Sequence, residues 1–377
     1  MGEDAYVRQP MLTYLGNKRK LLPHIRSMVE LVRDRLDGGR LRVLDGFAGS
    51  GVVSRMLVRY ASVLRSNDLE LYAHTVARCF LETPTPEQQA RVETHIEAMN
   101  AIEPGGDGGL IARLYAPRDT ETVLAGERCF YTRENALRID AMRAYIADSV
   151  EADVQPYCLA PLLVRASIHV NTSGVFKGFY KKDGVGCFGG SAGNALARIK
   201  GAIRLDVPLW HGEDVAVLCT RQDTTELLAS LPDDALDLAY LDPPYNLHPY
   251  GSNYFMLNVI ASNQEPEAVS AVSGIPAAWN KSDYNYRGTA FEAMRGLLAE
   301  ATRVSRFALV SYNDEGIITD AQWVELLRDY VHEKHEFPYD CFKGSRNLRN
   351  RKDKVMERMY LVSRPPHPPR PPHGGPP

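Results

Sequence analysis

Cysteine is scarce in this sequence, and the spacing of the few cysteines excludes two kinds of site. The 377-residue chain has six cysteines, which lie far apart, with no Cys-x-x-Cys pair and no histidine at ligand spacing. Neither a structural zinc site nor a disulfide framework is therefore expected. Reduced cysteines are typical of the cytoplasm, so a cytoplasmic location is expected.

Long apolar runs and an excess of positive charge are also missing. No run approaches the length of a membrane span, and the first ten residues lack the apolar segment of a secretory signal, so no membrane association is expected. Because the net charge is -3, a polyanionic partner would have to bind a local basic surface. The length suits two domains, or one α/β domain with a large insertion.

A short apolar run, residues 236–241, ends in the tetrapeptide Asp242-Pro243-Pro244-Tyr245. The run predicts a buried parallel strand, and ligands bind at the carboxyl ends of such strands. A carboxylate and a proline carbonyl can accept both hydrogens of a planar amino group, and the tyrosine ring offers a stacking face. The alternative is purely structural, since acids and Pro-Pro pairs also simply end strands.

A glycine-rich turn lies in the first strand–turn–helix unit, residues 41–57. The turn is Asp45-Gly46-Phe47-Ala48-Gly49-Ser50-Gly51, and it lacks the three-glycine dinucleotide pattern. Its glycines predict a close approach of the backbone to a small ligand. A second apolar strand ends near Asp68, where Rossmann-like proteins bind ribose hydroxyls, so Asp68 is a candidate ribose ligand.

The α/β pattern is interrupted between about residues 85 and 205. Helices are predicted there over residues 88–99, 135–150 and 156–168. The segment ends in residues 171–184, which interleave lysines with phenylalanine and tyrosine on glycine-containing turns. That combination suits phosphate contacts and base stacking, although a solvated hairpin would have the same composition.

The α/β pattern resumes after residue 205. The sequence predicts strands at residues 215–218 and 307–310, and Asp223 immediately precedes a predicted helix. The loop after the tetrapeptide, residues 246–255, is polar and aromatic, as is typical of substrate-binding loops.

Two further segments are candidates for anion binding. Tyr14 and Lys18 precede an amphipathic helix predicted over residues 21–36, where the helix dipole favours an anion. Residues 343–358 carry seven lysines and arginines against two acidic residues, which predicts phosphate binding, with an ordinary surface face as the alternative. The proline-rich residues 364–377 are predicted to be disordered.

In their order along the chain, these motifs resemble those of the D12 class of DNA adenine-N6 methyltransferases, the group that includes the Dam methylases. The resemblance covers most of residues 11–362. It implies a doubly wound, Rossmann-like α/β sheet with an inserted, mainly helical target-recognition domain. The implied catalytic domain is residues 1–84 and 206–363, and the implied insertion is residues 85–205.

The resemblance also implies S-adenosylmethionine as the cofactor and double-stranded DNA as the partner. The residues that it assigns to the cofactor are Tyr14, Lys18, Asp45, Phe47, Gly49, Gly51, Asp68, Asp223 and Asp242. It makes the tetrapeptide Asp242, Pro243, Pro244 and Tyr245 catalytic. The residues expected to contact DNA are Asn171, Lys177, Lys181, Lys182, Tyr250, Asn253, Lys343, Arg346, Arg349 and Arg351.

The expected reaction moves a methyl group to N6 of an adenine flipped out of a specific DNA site. The adenine would stack on Tyr245, while Asp242 and the Pro243 carbonyl accept the two N6 hydrogens and aim the nitrogen lone pair at the methyl group. No metal is expected, because the positively charged leaving group is already activated. The expected setting is a restriction-modification or related system, in which a separate restriction endonuclease could be a partner.

Other functions share parts of this pattern. An N4-cytosine methyltransferase would bind an amine with the same two donors, but Asp in the first tetrapeptide position favours adenine, because Ser is commoner in the cytosine enzymes. Methylation of an RNA or protein amide is a more distant alternative. A catalytically inactive DNA-binding protein is another, and the intact cofactor motifs argue against it.

Overall fold

The structure of the protein is a computed structural model, and it describes residues 3–190, 193–340 and 354–365. The α-helices in these ranges are α1 (Glu3–Arg8), α2 (Leu22–Arg35), α3 (Val52–Leu57), α4 (Leu71–Leu81), α5 (Pro86–Ala101), α6 (Leu110–Tyr115), α7 (Arg133–Ser149), α8 (Gln155–Ile168), α9 (Leu196–Lys200), α10 (Thr224–Ser230), α11 (Tyr250–Asn253), α12 (Phe255–Ser262), α13 (Ala290–Val304) and α14 (Asp320–Leu326). The strands are β1 (Leu41–Asp45), β2 (Ala61–Asn67), β3 (Lys181–Lys182), β4 (Val185–Gly186), β5 (Ala216–Thr220), β6 (Leu236–Leu241), β7 (Ser305–Asn313), β8 (Val331–Asp340) and β9 (Lys354–Ser363). Short 3-10 helices cover Lys18–Leu21 and Asp283–Asn285.

Seven of these strands form the central sheet, in the order β5-β2-β1-β6-β7-β9-β8. The first five in this order are parallel, whereas β9 pairs antiparallel with β7, and β8 pairs antiparallel with β9. The chain runs outward from β1 through β2 and β5 on one side, and through β6 and β7 on the other. The direction therefore switches between β1 and β6, the place where open α/β sheets bind ligands. The predicted doubly wound α/β class is confirmed.

The central strands are apolar on both faces because helices cover both. Val43 of β1 and Leu238 of β6 lie in a buried cluster with Ile25 of α2. The neighbouring Leu44 and Ala239 point the other way, into a cluster with the apolar face of α13. Successive side chains of a strand alternate between faces, so a strand buried on both sides reads as a continuous apolar run.

The predicted helices and strands occur, with shifted ends. The helices predicted in the insertion correspond to α5, α7 and α8, and the strand predicted at residues 215–218 is β5. The sequence patterns did not predict β8 and β9. Strand β8 begins Val331-His332-Glu333-Lys334-His335 and lies at the sheet edge, where charged side chains are tolerated on both faces and no apolar alternation remains.

The predicted insertion packs closely on the rest of the chain. One hydrophobic cluster joins α5, α7 and α8 to α4 and to α12, which follows the tetrapeptide. Helix α8 contacts both α4 and α12. The helices of the insertion are therefore held on the same framework that carries the strand ends, and the division at residues 85 and 205 stays a prediction.

None of the helices in the described ranges has the length and apolar character required to cross a membrane. Across the same ranges, no group of three or more His, Cys, Asp and Glu side chains is arranged to hold a metal ion.

Candidate active site

A cavity lies at the carboxyl ends of β1, β2 and β6. It encloses about 870 Å³ of space that is continuous with solvent, a volume in the range of small-molecule sites. The predicted site residues that line it are Tyr14, Lys18, Phe47, Gly49, Asp68, Asp223, Asp242, Pro244 and Tyr250. The fold therefore brings together residues that are distributed over most of the chain.

The glycine turn after β1 forms one wall of the cavity. Gly49 has φ +53° and Gly51 has φ +78°, which is left-handed backbone that glycine adopts without strain. A Cβ atom on Gly49 would lie 3.0 Å from the Tyr14 ring, which is so tight that the ring would have to move by a few tenths of an ångström. The turn therefore exposes its backbone to the cavity, as the sequence predicts.

Asp68 lies at the end of β2 and binds this turn. Its Oδ2 accepts a hydrogen bond from the Gly49 N–H at 2.8 Å, and its Oδ1 accepts one from the Glu70 N–H at 2.9 Å. Burial raises the pKa of Asp68, while these backbone donors lower it. A carboxylate fixed in this way can still accept hydrogen bonds from hydroxyl groups of a ligand.

Glu70 is a lining residue that the sequence analysis missed. Its carboxylate accepts hydrogen bonds from the side-chain amides of Asn258 and Asn280, and burial raises its pKa to about 7. The sequence does contain a signal for Glu70, because it is the second acidic residue after the end of β2, two positions beyond Asp68.

Asp45 and Gly51 lie behind the cavity wall. Asp45 is buried, and the Ser54 hydroxyl donates to its Oδ2 at 2.6 Å. Burial and the negative charge of Asp242 raise the pKa of Asp45 to about 7, while the hydrogen bond from Ser54 lowers it. This position supports the turn and the strand ends, whereas the sequence analysis assigned both residues to the cofactor.

Asp242 follows β6 and reaches the cavity with its carboxylate. Its Oδ1 lies 3.0 Å from the ammonium Nζ of Lys18, and the side chain stays 17% exposed, so it is open to the cavity. Burial raises the pKa of Asp242 to about 7; Lys18 lowers this pKa, and the charge of Glu357 raises it. This carboxylate therefore binds a proton more readily near neutral pH than an ordinary aspartate does.

Lys18 bridges two carboxylates. Its Nζ also lies 2.8 Å from Oε1 of Glu357, a fully buried residue of β9. Burial lowers the pKa of Lys18, but Asp242 and Glu357 more than offset this effect, and the pKa lies well above its ordinary value. Lys18 was predicted as a cofactor contact; in the structure it lines the cavity and is paired with the acid of the tetrapeptide.

The remaining tetrapeptide residues surround this pair. Pro244 lines the cavity, and Pro243 is buried beside it. The Tyr245 ring packs edge-on against Tyr312, with ring centroids 6.0 Å apart, and the Lys18 Nζ lies 5.5 Å from the Tyr245 centroid. Tyr245 is therefore fixed next to the Lys18–Asp242 pair.

A cluster of tyrosines adjoins the glycine turn and lines the cavity with Tyr14 and Tyr250. The rings of Tyr14, Tyr250 and Tyr254 lie nearly parallel to one another. The Tyr14 centroid is 5.0 Å from that of Tyr250 and 4.6 Å from that of Tyr254, and the centroids of Tyr250 and Tyr254 are 5.9 Å apart. The Tyr14 hydroxyl is 3.3 Å from that of Tyr72. Tyr250, predicted to contact DNA, is thus part of the cavity wall.

Asn171, which is predicted to contact DNA, is bonded inside the protein. Its side chain is fully buried, its amide donates to the carbonyls of Cys129 and Cys187 at 2.8 Å each, and its Oδ1 accepts from the Gly189 N–H. A compact amide satisfies buried backbone groups well, and here it fixes the segment around the β3–β4 hairpin.

Asn253, also predicted to contact DNA, is enclosed in a similar way. It is buried, and its amide donates to the His248 carbonyl at 3.2 Å. By contrast, Lys177, Lys181 and Lys182 are exposed, as a role in DNA contact requires. The predicted contacts Lys343, Arg346, Arg349 and Arg351 lie outside the described residues, as do residues 366–377 of the proline-rich segment.

The cavity is closed on one side by a segment that no sequence signal marked. Tyr284 packs edge-on against Phe47, with ring centroids 5.5 Å apart, and its hydroxyl is 3.2 Å from that of Thr225. Asp223 lies beside them as the N-cap of α10, where it accepts from the Thr225 and Glu226 N–H groups. The lining residues of this segment are Asn280, Ser282, Tyr284 and Asn285.

Comparisons with known proteins give the family that this chain resembles. The family model described as D12 class N6 adenine-specific DNA methyltransferase matches residues 14–276. The chain is 29% identical over 323 residues to the type II methyltransferase M.CviAII of Paramecium bursaria Chlorella virus 1, covering 84% of this chain and 88% of that protein. It is 23% identical over 363 residues to the type II methyltransferase M.NlaIII of Neisseria lactamica, covering 94% and 99%.

A longer relative matches as well. The chain is 25% identical over 374 residues to the modification methylase StsI of Streptococcus sanguinis, covering 94% of this chain and 52% of that protein. The chain therefore spans about half the length of that relative.

Proposed function

The chain belongs to the D12 class of N6 adenine-specific DNA methyltransferases, and from this membership we propose that the cavity binds S-adenosylmethionine together with one adenine flipped out of duplex DNA. The observation that carries the proposal is the position of Asp242. Its Oδ1 is held by Lys18 at the cavity wall, so its Oδ2 is the oxygen that can accept a hydrogen bond from an amine.

The residues present fit the cofactor. The left-handed turn at Gly49 leaves backbone where a Cβ would collide with Tyr14, which allows close approach of a ligand. The carboxylates of the partly buried Asp68 and the buried Glu70 suit ribose hydroxyls. Asp223 and the Phe47–Tyr284 pair form the far end of the cavity, which suits an adenine ring. When bound, the cofactor supplies a methyl group on a positively charged sulfur, which leaves as a neutral thioether.

The chain's own residues then orient the target. We assign the two N6 hydrogens of the flipped adenine to Asp242 Oδ2 and the Pro243 carbonyl, with Tyr245 as the stacking surface. This arrangement turns the nitrogen lone pair toward the methyl group. The nitrogen gains a methyl group and loses one proton, and Asp242, with a pKa of about 7, is suited to hold that proton until it reaches solvent.

DNA would be bound by the insertion. Lys177, Lys181 and Lys182 are exposed on the segment around the β3–β4 hairpin, where they can reach phosphates without disturbing the core. The hairpin packs beside the loop that follows α12, since the Ser273 hydroxyl donates to the Lys177 carbonyl at 2.7 Å. We therefore assign residues 85–205 to target recognition.

The experiment is mass analysis of nucleosides from DNA treated with the purified protein and deuterium-methyl S-adenosylmethionine. Labelled N6-methyladenine is expected, at sites that sequencing of the methylated DNA then defines. Labelled N4-methylcytosine as the sole product would overturn the proposal. With the site known, 2-aminopurine in place of the target adenine tests flipping, because an unstacked 2-aminopurine becomes more fluorescent.

A restriction-modification system is the proposed setting, because the relatives are named type II methyltransferases and modification methylases. Methylated DNA is then expected to resist a restriction endonuclease of the same site specificity, which digestion of the treated DNA would test.

A further inference from the structure

A buried chain of three charged side chains leads from the edge of the sheet core to the cavity. Glu357 and Lys18 are shielded from water, whereas Asp242 at the end of the chain is 17% exposed. Lys18 Nζ contacts one oxygen of each carboxylate, Glu357 Oε1 at 2.8 Å and Asp242 Oδ1 at 3.0 Å. One ammonium thus serves two carboxylates, and the group carries a net negative charge when all three are ionised.

The two carboxylate oxygens of Glu357 have different surroundings, which stability alone does not explain. The Ser311 hydroxyl of β7 donates to its Oε1, which is also the oxygen bound by Lys18. Its other oxygen, Oε2, is buried and has no hydrogen-bond partner among the described residues. A buried carboxylate oxygen without a partner is destabilising, so its presence calls for a functional explanation.

We propose that Glu357 is a positioning residue of the methyl transfer, which anchors Lys18 so that Lys18 holds Asp242 Oδ1 and leaves Oδ2 to the amine of the substrate. The inference rests on the function proposed above. Glu357 lies outside residues 14–276, the part of the chain that the family model matches.

The physical reason is the flexibility of the lysine side chain. A lysine ammonium is a compact charge on a four-carbon stem, and with a single partner it can rotate around that partner. With Glu357 on its other side, Lys18 Nζ is fixed along one direction, and Asp242 is fixed with it. Supporting residues of this kind set the geometry of the groups that touch substrate.

Other groups face this network from each neighbouring element. Tyr240 of β6 and Tyr245 of the tetrapeptide face Lys18, and Asp45 of β1 faces Asp242. Burial raises the pKa of the Tyr240 and Tyr250 hydroxyls well above the ordinary value, so these two groups stay neutral across the neutral range. Changes of activity with pH near neutrality would then report on the carboxylates of Asp242, Asp45 and Glu70, and the shift caused by Glu357→Gln singles out Asp242, whose pKa the charge of Glu357 raises.

The test compares four proteins: the wild type, Glu357→Gln, Glu357→Asp and Lys18→Met. Methyl transfer to DNA is followed as kcat and as kcat/KM against pH, and S-adenosylmethionine binding is measured by calorimetry. Thermal unfolding checks that each variant folds. Glu333→Gln is the matched control, since Glu333 lies on the adjacent strand β8 and pairs with Arg35 near the surface.

Removal of the Glu357 charge has two expected effects. The kcat of Glu357→Gln falls about tenfold, equivalent to ~1.4 kcal/mol, because Lys18 loses its charged anchor. In the profile of kcat/KM against pH, activity falls on the acid side as Asp242 becomes protonated, and we call this fall the acid limb. In Glu357→Gln the midpoint of the acid limb moves about one pH unit lower, because a negative charge that raises the pKa of Asp242 is gone. In Lys18→Met the midpoint of the acid limb moves to higher pH, since Asp242 loses the cation that lowers its pKa. Glu357→Asp keeps the limb in place while kcat falls, because the charge is kept and its position changes.

Unchanged kcat and an unchanged acid limb in a folded Glu357→Gln protein would overturn the inference, as would a Glu357→Gln variant that only melts earlier. If Glu357→Gln does not fold, Glu357→Asp decides, since kcat equal to that of the wild type would also overturn it. Failure of the wild type to form N6-methyladenine would instead overturn the proposed function.

Discussion

The ammonium of Lys18 lies 3.0 Å from Oδ1 of Asp242, although the two residues come from distant parts of the sequence. This contact makes a direct prediction for Asp242→Asn. The variant keeps the shape of the side chain but loses the charge that accepts from the amine, so kcat is expected to fall about 10²–10³-fold. Retained S-adenosylmethionine binding by calorimetry would locate the loss in the chemical step, and near-normal methyl transfer would contradict the role of Asp242.

The sequence predicts those site residues that a local pattern marks, and it does not predict those that only tertiary packing brings to the site. Asp242 was predictable because a continuous apolar strand ends at two prolines, which is a local signal. Glu357 was not, because it stands in a run of lysines and arginines, and its burial depends on the pairing of β9 with β7. The burial of Asn171 was not predictable, since composition alone cannot distinguish an amide exposed on a hairpin from one that bonds buried carbonyls. Tyr284 lies in an irregular segment whose position only tertiary packing sets.

The pH dependence of the wild-type enzyme follows from the pKa of Asp242. Burial raises this pKa to about 7, and the charged carboxylate is the form that accepts the amine hydrogens. Activity is therefore expected to be high above the pKa and to decrease as the pH falls through about 7. The measurement is kcat/KM for DNA against pH, which reports groups of the free enzyme. A profile that stays flat from pH 8 down to pH 5 would show that Asp242 keeps an ordinary carboxylate pKa.

Gly49→Ala is expected to weaken S-adenosylmethionine binding. The left-handed backbone at φ +53° disfavours alanine by about 1–2 kcal/mol, and the new Cβ would lie 3.0 Å from the Tyr14 ring. Both the turn and the Tyr14 wall would have to move. Gly38→Ala is the matched control, because Gly38 has φ +77° and open space around it. Calorimetry should show weaker binding for Gly49→Ala only, while thermal unfolding shows backbone strain in both.

Tyr284→Ala tests the segment that closes the cavity. Removing the ring leaves Phe47 without its aromatic partner and opens the end of the cavity beside Asp223. The dissociation constant of S-adenosylmethionine is therefore expected to rise about tenfold, which is the effect typical of losing one aromatic contact. Tyr284→Phe, which loses only the hydroxyl contact to Thr225, should bind nearly as the wild type. Tyr286→Ala, at an exposed position close by, is the control. Equal affinity of Tyr284→Ala and the wild type would remove this segment from the cofactor site.

The double substitution Lys181→Gln/Lys182→Gln tests the hairpin as a DNA-contacting element. Both side chains are exposed, so their removal should leave thermal unfolding and S-adenosylmethionine affinity unchanged. If each lysine neutralises one phosphate, the slope of log affinity against log salt becomes shallower by about 1.8, because each such contact contributes about 0.9. The loss of affinity should be similar for cognate and unrelated duplexes, since phosphate contacts carry no sequence information. Lys334→Gln, an exposed lysine of the edge strand β8, provides the comparison, and a salt slope equally unchanged in both variants would place the DNA elsewhere on the protein.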